Sequence, residues 1–325
     1  MSVLGRVAGH LLVVAAGVAG VGVAAPAPAA AAVPGMPSLI AYVRSGDVYV
    51  SKGAAETRVT TGGGWSRPQW SRDGRMIALL RGGQLWTMKA DGTAKRRLTT
   101  RPAAGPSWSA DGREIAFASL SCSGGPGVYT ISATAVNAVP KVLFPAYCRD
   151  EELPAEPAVK AAATGSLSER LRYDDAVAWS PDGAKVAFRG GDCESIADDC
   201  LSVGTVATGG EKAVDSYGGG SRQNSGFAVI PSWNRSGTKL AWTAYQKGET
   251  SATDLPVHVV EYDTATGAKR TVGASQDREL AYVDTTRAVV TGTYKAGSWI
   301  MIVNLGTGAR TPFRQGSQPS VQPIR

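Results

Sequence analysis

Four cysteines are the residues of this chain whose chemistry depends most directly on spacing: Cys122, Cys148, Cys193 and Cys200. They include no C-x-x-C pair, and one histidine, His258, follows the first 32 residues, so the ligands that a zinc site needs are too few. An even count favours two disulfides if the chain is exported. Three pairings are possible and the sequence does not choose among them; we expect Cys122–Cys148 and Cys193–Cys200.

Acidic residues form a second group with possible chemistry: Asp150, Glu151, Glu152, Asp174, Asp175, Asp192, Glu194, Asp198 and Asp199. Hard cations such as Ca²⁺ bind several oxygen ligands, yet no segment has the D-x-D-x-D-G pattern of a calcium loop. We therefore predict no cofactor, with a calcium site as the alternative. Paired carboxylates also serve glycosidases, and the sequence does not reveal their separation.

A catalytic nucleophile is not indicated. No G-x-S-x-G segment is present, and a Ser-His-Asp device would have to use His258. This histidine lies in an apolar segment, 256–260, that reads as a strand, where a lone histidine is more often structural. The sequence predicts no catalytic residue.

The candidate residues for contact with a partner lie in the segments between predicted strands. Segment 215–228 contains Tyr217, Arg222 and Phe227 around a glycine run that lacks the strand–loop–helix context of a phosphate cradle. The predicted binding face combines these residues with acidic neighbours: Asp150, Glu151, Glu152, Asp198 and Asp199.

The elements that position these residues follow from an internal repeat. Segments 67–79, 105–117, 176–188 and 230–242 align without gaps. Their shared signature comprises Trp70, Asp73, Gly74, Trp108, Asp111, Gly112, Trp179, Asp182, Gly183, Trp233 and Gly237. Aspartate accepts a hydrogen bond from the backbone two residues on, and glycine tolerates positive φ, so each signature predicts a tight turn. The consecutive apolar residues after the turn are typical of a strand buried on both faces.

Each repeat continues with a second hairpin, which makes a unit of four strands, A to D. The signature tryptophans are 38, 71 and 54 residues apart, and the shortest spacing is near the roughly 40–45 residues of a propeller blade. Segments 38–60 and 280–313 form two degenerate units, the first without strand A. The tail, 318–322, resembles a strand A and is expected to complete the first unit. The sequence predicts a six-bladed, all-β propeller over residues 33–325, closed by its C-terminal strand.

The repeated Trp-Ser-x-Asp-Gly signature resembles the repeat of TolB-type propellers, which also occurs in the propeller of prolyl oligopeptidases. The resemblance runs from about residue 37 to the C-terminus and implies the fold alone, because one fold serves many functions. The α/β domain of TolB and the hydrolase domain of the peptidases have no counterpart in the sequence.

The long segments between strands fall on one side of the predicted propeller. They are 121–127, 145–172, 190–200, 215–228 and 245–256, all B–C or D–A connections of blades 3 to 5. All four cysteines lie in them. Long loops on a rigid scaffold commonly carry binding residues. The alternative is that they are solvated insertions, cross-linked for durability outside the cell.

The N-terminus indicates export. Arg6 precedes an apolar run, 11–25, and small residues follow at 30–32, which is the pattern of a cleaved signal peptide, residues 1–32. The run is short of the roughly 20 residues that span a bilayer. The net charge is +7, but basic residues are scattered, and their densest cluster, 95–97, falls on a predicted edge strand. Scattered charge and export argue against a nucleic-acid partner.

These observations predict a secreted, non-enzymatic binding module that recognises a protein or a cell-surface polymer with the loop-rich face of blades 3–5. A secreted hydrolase or lyase that uses loop carboxylates is the alternative, and a scaffold without a pocket is the third possibility.

Overall fold

The computed structural model describes residues 34–151, 165–191, 193, 199–218, 225–248 and 250–323, so the predicted signal peptide lies outside the described residues. The described strands form six four-stranded antiparallel sheets, and the first sheet takes its fourth strand from the C-terminal segment. Sheets 1 to 3 contain β1 (Ile40–Arg44), β2 (Asp47–Ser51), β3 (Glu56–Arg58); β4 (Trp65–Trp70), β5 (Met76–Arg81), β6 (Gln84–Lys89), β7 (Arg96–Pro102); β8 (Ala104–Trp108), β9 (Glu114–Leu120), β10 (Pro126–Ser132) and β11 (Lys141–Phe144). Sheets 4 to 6 contain β12 (Ala178–Trp179), β13 (Lys185–Arg189), β14 (Asp199–Thr205), β15 (Glu211–Tyr217); β16 (Ser225–Trp233), β17 (Lys239–Lys247), β18 (Leu255–Asp263), β19 (Lys269–Val272); β20 (Arg278–Tyr282), β21 (Arg287–Tyr294), β22 (Gly297–Asn304) and β23 (Arg310–Gln315).

Short helical segments lie in the connections between strands. Helix α1 (Leu167–Arg172) begins at a capping box, in which Ser166 and Glu169 satisfy each other's backbone N–H groups. Single 3₁₀ turns span Ala146–Cys148 and Ser251–Thr253. No helix in the described part of the chain has the length and apolar character needed to cross a membrane.

The six sheets are the blades of a propeller, as predicted. Each sheet contacts the next one along the chain, and the sixth contacts the first. Six of the hydrophobic clusters each join two neighbouring blades, so the core consists of six layers between sheets. The second strand of each repeat is buried on both faces: Ile77, Ile115, Val186 and Leu240 are all fully inaccessible. This burial explains the runs of consecutive apolar residues.

The repeated turn is stabilised by its own side chains. Ser71 Oγ donates to Asp73 Oδ1 over 2.6 Å and accepts from the Met76 N–H at 2.9 Å, while the Arg75 N–H donates to Asp73 Oδ1 over 3.1 Å. Gly74 follows with a φ of 67°. The same bonds recur in turns 109–114 and 180–185, and Asn234 accepts from the Lys239 N–H in the fourth turn. The local sequence therefore specifies these turns independently of the rest of the fold.

Two of the four signature tryptophans connect neighbouring blades through their indole N–H groups. The indole N–H of Trp108 donates to the Gln69 carbonyl over 3.0 Å, and that of Trp233 donates to the Ala178 carbonyl over the same distance. Each bond runs to the preceding blade. These tryptophans consequently set the spacing of adjacent inner strands.

The C-terminal segment forms strand β24 (Ser317–Val321), which pairs with β1 in the first sheet. Ile40 lies opposite Val321, and Ala41 lies opposite Ser320. Blade 1 is therefore built from both ends of the described propeller, with its innermost strand supplied last. This pairing leaves no open seam between the first and sixth blades.

Deletion of residues 317–325 removes β24 and leaves one edge of β1 unpaired. We expect the free energy of unfolding to fall by more than about 4 kcal/mol, because a whole strand and its contacts with two blades are lost. Urea denaturation followed by tryptophan fluorescence measures this change. A variant that lacks only residues 324–325 keeps β24 and is the control; equal unfolding midpoints for the two variants would contradict this account of closure.

Candidate functional site

One cavity on the loop side, where the B–C and D–A connections lie, separates blades 3 and 4. It has a volume of about 770 Å³ and is lined by Ser121, Ser123, Pro126, Tyr147, Phe188 and Glu211, among others. The volume falls within the roughly 300–1,000 Å³ of small-molecule pockets. Tyr147, at the edge of the cavity, is 68% exposed.

The two disulfides border this cavity. Cys122 pairs with Cys148 and Cys193 pairs with Cys200, which confirms the expected connectivity. Cys193 and Cys200 line the cavity themselves, whereas the other disulfide joins the segments that carry Ser121 and Tyr147. Cys200 is in strand β14 and not in a loop, so strand and loop are cross-linked there. Both disulfides therefore hold the loop side of blades 3 and 4.

The predicted acidic contacts are only partly on this surface. Asp150 and Glu151 are exposed directly after Cys148. Asp199 lines the cavity, and Arg189 Nη2 donates to its Oδ1 over 2.8 Å. Glu152, Asp198 and Arg222 lie outside the described residues.

The prediction that Tyr217 and Phe227 face a partner is wrong. Tyr217 is the last residue of β15; its hydroxyl donates to Asp215 and accepts from the indole of Trp242. Phe227 is 1% exposed and stacks on Tyr245. The cause is strand length, because β16 begins at Ser225 and converts part of the expected loop into sheet.

The described residues contain no group of three or more His, Cys, Asp or Glu side chains that could hold a metal ion. In the predicted acidic set, Glu152, Asp192, Glu194 and Asp198 fall outside the described part of the chain. His258 is in β18, where its Nδ1 lies 2.7 Å from the carbonyl oxygen of Pro256. This contact is local to the strand.

Sequence reasoning missed a charged network around the central channel of the propeller. Arg67 is 4% exposed, and its guanidinium contacts Glu279 Oε1 at 3.0 Å and Asp174 Oδ1 at 3.0 Å. Gln318 joins the network, since its side chain accepts from the Arg67 N–H at 2.8 Å and its own N–H donates to Glu279 Oε2 over 2.9 Å. The network connects blades 1, 2 and 6 to the segment between α1 and β12.

Bulges in the inner strands position these residues. The register shifts within β4, β16, β20 and β24, and at each shift one non-glycine residue has positive φ: Arg67, Ile230, Glu279 and Gln318. Positive φ is uncommon in such residues and marks positions of interest. Proline follows three of the four residues. The signal in the sequence was thus an x-Pro pair, which precedes the turn signature at Arg67 and Ile230 and recurs in the C-terminal tail at Gln318.

Charge neutralisation sets the protonation of the network. Burial acts to raise the pKa of Glu279, but the charges of Arg67 and Arg278 outweigh it, so this pKa lies below its ordinary value. Burial likewise acts to lower the pKa of Arg67, and the carboxylates of Asp174 and Glu279 reverse the effect. Both groups are therefore charged across the physiological range.

Asp175 lies beside this network and differs from its neighbours. Burial raises its pKa to about 6, while the charge of Arg189 opposes the shift. Its Oδ1 accepts a hydrogen bond from the Ala176 N–H at 2.8 Å. Asp175 therefore keeps its proton to a higher pH than an ordinary aspartate does.

The fold and these sites define the class of the protein: a six-bladed β-propeller with a TolB-like fold, held by two disulfides on its loop side. No family model matches the sequence, and no curated protein matches it.

Solved structures show the likeness in detail. TolB from Acinetobacter baumannii superposes with a TM-score of 0.64 at 16% identity, over 90% of this chain and 68% of that one. A putative TolB from Agrobacterium tumefaciens superposes with a TM-score of 0.57 at 14% identity, over 88% of this chain and 92% of that one. Hydrazine synthase from Kuenenia stuttgartiensis superposes with a TM-score of 0.59 at 11% identity, over 90% of this chain and 47% of that one. At such identities the likeness concerns the fold.

Replacement of Arg67 by methionine leaves Glu279 buried without its main cation. We expect the free energy of unfolding to fall by about 3–5 kcal/mol, the range for one broken partner of a buried pair. Urea denaturation at pH 7 measures it, with exposed Arg75→Met as the control. The double variant Arg67→Met/Glu279→Gln should regain part of the loss; a double variant no more stable than the single one would contradict this coupling.

The pKa of Asp175 predicts a pH-dependent stability difference. The pKa of this carboxyl is about 6 in the folded state and near 4 in the unfolded chain. Its protonation therefore stabilises the fold as the pH falls from about 6 toward 4. The free energy of unfolding of Asp175→Asn should therefore exceed that of the wild type by on the order of 2 kcal/mol above pH 6, and the two values should be equal below pH 4. Chemical denaturation across this pH range tests it, and Asp150→Asn controls for net charge. A difference that is constant with pH would refute it.

Proposed function

We propose that the protein is an exported binding module that recognises its partner with the loop side of blades 3–5. One observation carries the proposal: both disulfides border a single open cavity of about 770 Å³ between blades 3 and 4. Disulfides are typical of extracytoplasmic proteins, and rigidly held loops lose less entropy on binding than free ones.

Exposed aromatic and aliphatic side chains support contact with a macromolecule. Tyr147 and Tyr173 are 68% and 65% exposed, and Leu255 at the start of β18 is also exposed. Tyr147 and Tyr173 belong to the D–A connection that follows blade 3, and Leu255 directly follows the B–C connection of blade 5. Tyrosine is enriched at the energetically dominant positions of protein interfaces. A protein partner therefore fits this surface best, and a cell-surface polymer that stacks on the same rings is the alternative ligand.

The scaffold under these residues is fixed from within. Arg67 pairs with Asp174 directly after Tyr173, so the central channel anchors the long connection between blades 3 and 4. Cys148 adjoins Tyr147 and ties it to the B–C loop of blade 3. Each tyrosine thus stands next to an internal restraint, which favours a preformed binding surface.

A hydrolase or lyase is the second candidate, because carboxylates do gather near the channel. Asp174 and Glu279 both contact Arg67, Asp199 contacts Arg189, and Asp175 has a raised pKa beside them. Perturbed carboxyls of this kind occur in active sites and in structural ion-pair networks alike. Because arginines already neutralise three of the four, the arrangement favours a structural role and leaves binding as the proposal.

Binding is tested by capture from a cell-envelope extract. Immobilised wild-type protein should recover a partner whose yield falls at least about tenfold with Tyr147→Ala/Tyr173→Ala, which corresponds to about 1.4 kcal/mol. The control is Val136→Ser/Val139→Ser, since these exposed valines lie between β10 and β11 on the opposite side.

Quantitative mass spectrometry measures protein recovery, and sugar analysis of the same eluates detects a polymer. Equal recovery by the wild type and the tyrosine variant would overturn the assignment of this surface. Loss with the valine variant alone would move the binding surface to the other side.

A further inference from the structure

The opposite end of the central channel contains a second, smaller cavity. It is lined by inner strands and turns of all six blades and has a volume of about 170 Å³. The signature tryptophans of blades 2 to 5 contribute to its wall: Trp70, Trp108, Trp179 and Trp233. This volume is below the roughly 300 Å³ of a typical small-molecule pocket, so the cavity has room for a single chemical group.

Two arginines border this cavity on the turn side, where the A–B turns lie. Arg72 is in the turn of blade 2 and Arg235 is in the turn of blade 5, opposite it in a six-membered ring. Both side chains are exposed to solvent. Arg72 reaches beyond its own blade, since its Nη2 donates to the Pro181 carbonyl of blade 4 over 2.9 Å. The guanidinium of Arg72 is therefore held near the mouth of the channel.

Neither arginine takes part in an ion pair among the described residues. The comparable turn arginines, Arg75 and Arg113, each lie 3.8 Å from an aspartate of their own turn. Glu279 also lines the cavity, but Arg67 neutralises it. Among the residues that the structure describes, no carboxylate pairs with either of these two positive charges at the cavity.

The positive charge of Arg235 acts on Arg72. Partial burial and, after it, the charge of Arg235 lower the pKa of Arg72. An anion between the two guanidinium groups would relieve this repulsion. Guanidinium groups bind phosphate through paired, charge-assisted hydrogen bonds, and their planar shape matches its oxygens.

We propose that Arg72 and Arg235 form a binding site for a phosphate group at the turn-side mouth of the central channel. Two guanidinium groups match the double negative charge of a phosphate monoester or of free phosphate. The size of the cavity admits the phosphate and leaves any attached molecule outside. This site lies on the side opposite the disulfide-bordered cavity, so it stands or falls independently of the proposed partner surface.

Titration of the full disulfide-bonded protein with inorganic phosphate tests the site, at constant ionic strength maintained with sodium chloride. Tryptophan fluorescence is a suitable signal because four indoles line the cavity. We expect saturable binding with a Kd of about 1 mM or lower. Isothermal titration calorimetry provides a readout that does not depend on the indoles.

Matched variants locate the binding. Arg72→Gln/Arg235→Gln should weaken phosphate binding at least about tenfold, whereas Arg75→Gln/Arg113→Gln, which removes the same charge from equivalent turns, should leave the Kd unchanged. Thermal unfolding by circular dichroism verifies that both variants are folded. If the double variant does not fold, Arg235→Gln alone is used, with the same direction of change expected.

Glycerol 1-phosphate distinguishes the two sources of the group. Binding as tight as that of inorganic phosphate supports recognition of a phosphate carried by a larger molecule, and binding of inorganic phosphate alone supports a site for the free anion. Absence of a saturable response in the wild type, or an unchanged Kd in Arg72→Gln/Arg235→Gln, overturns the proposal.

Discussion

The pairing of β24 with β1 joins the two ends of the described propeller, and the remaining blades depend on it. Each blade buries its apolar faces only against its two neighbours, so an open ring would expose two faces at once. With Val321 opposite Ile40, the clusters between blades 6 and 1 and between blades 1 and 2 are complete. Hydrophobic burial then continues around the whole ring, and no blade is terminal.

Around the axis, the inner strands are subject to a second constraint, the burial of polar groups. Six strands meet where space is smallest, and bulges at Arg67, Glu279 and Gln318 place polar groups into one shared network there. Burial of such charges is unfavourable unless each finds its partners, which these residues supply across blades that are distant in sequence. Because Asp174 is one of the partners, the same network fixes the long connection above it.

The two sides of the disc consequently differ in character. The turn side is built from short, self-stabilised turns, whose local hydrogen bonds leave Arg72 and Arg235 at the channel mouth. The loop side carries the long connections of blades 3–5, the exposed tyrosines and both disulfides. The two disulfides and the Arg67–Asp174 ion pair restrain the described parts of the connections of blades 3 and 4, where the local sequence has no turn signature. This division places the two proposed binding surfaces on opposite sides of the ring.

The sequence by itself determined what depends on neighbours along the chain. Ser71, Asp73 and Gly74 bond within one turn, so the repeat, the strand order and the six blades were readable from four copies of that signature. Tertiary structure alone decided which side chains meet across the ring. Arg67 and Glu279 lie far apart in sequence and touch only because the ring closes. Phe227 is buried because β16 extends into the expected loop and Leu171 of α1 packs in the same cluster, a contact that no local pattern encodes.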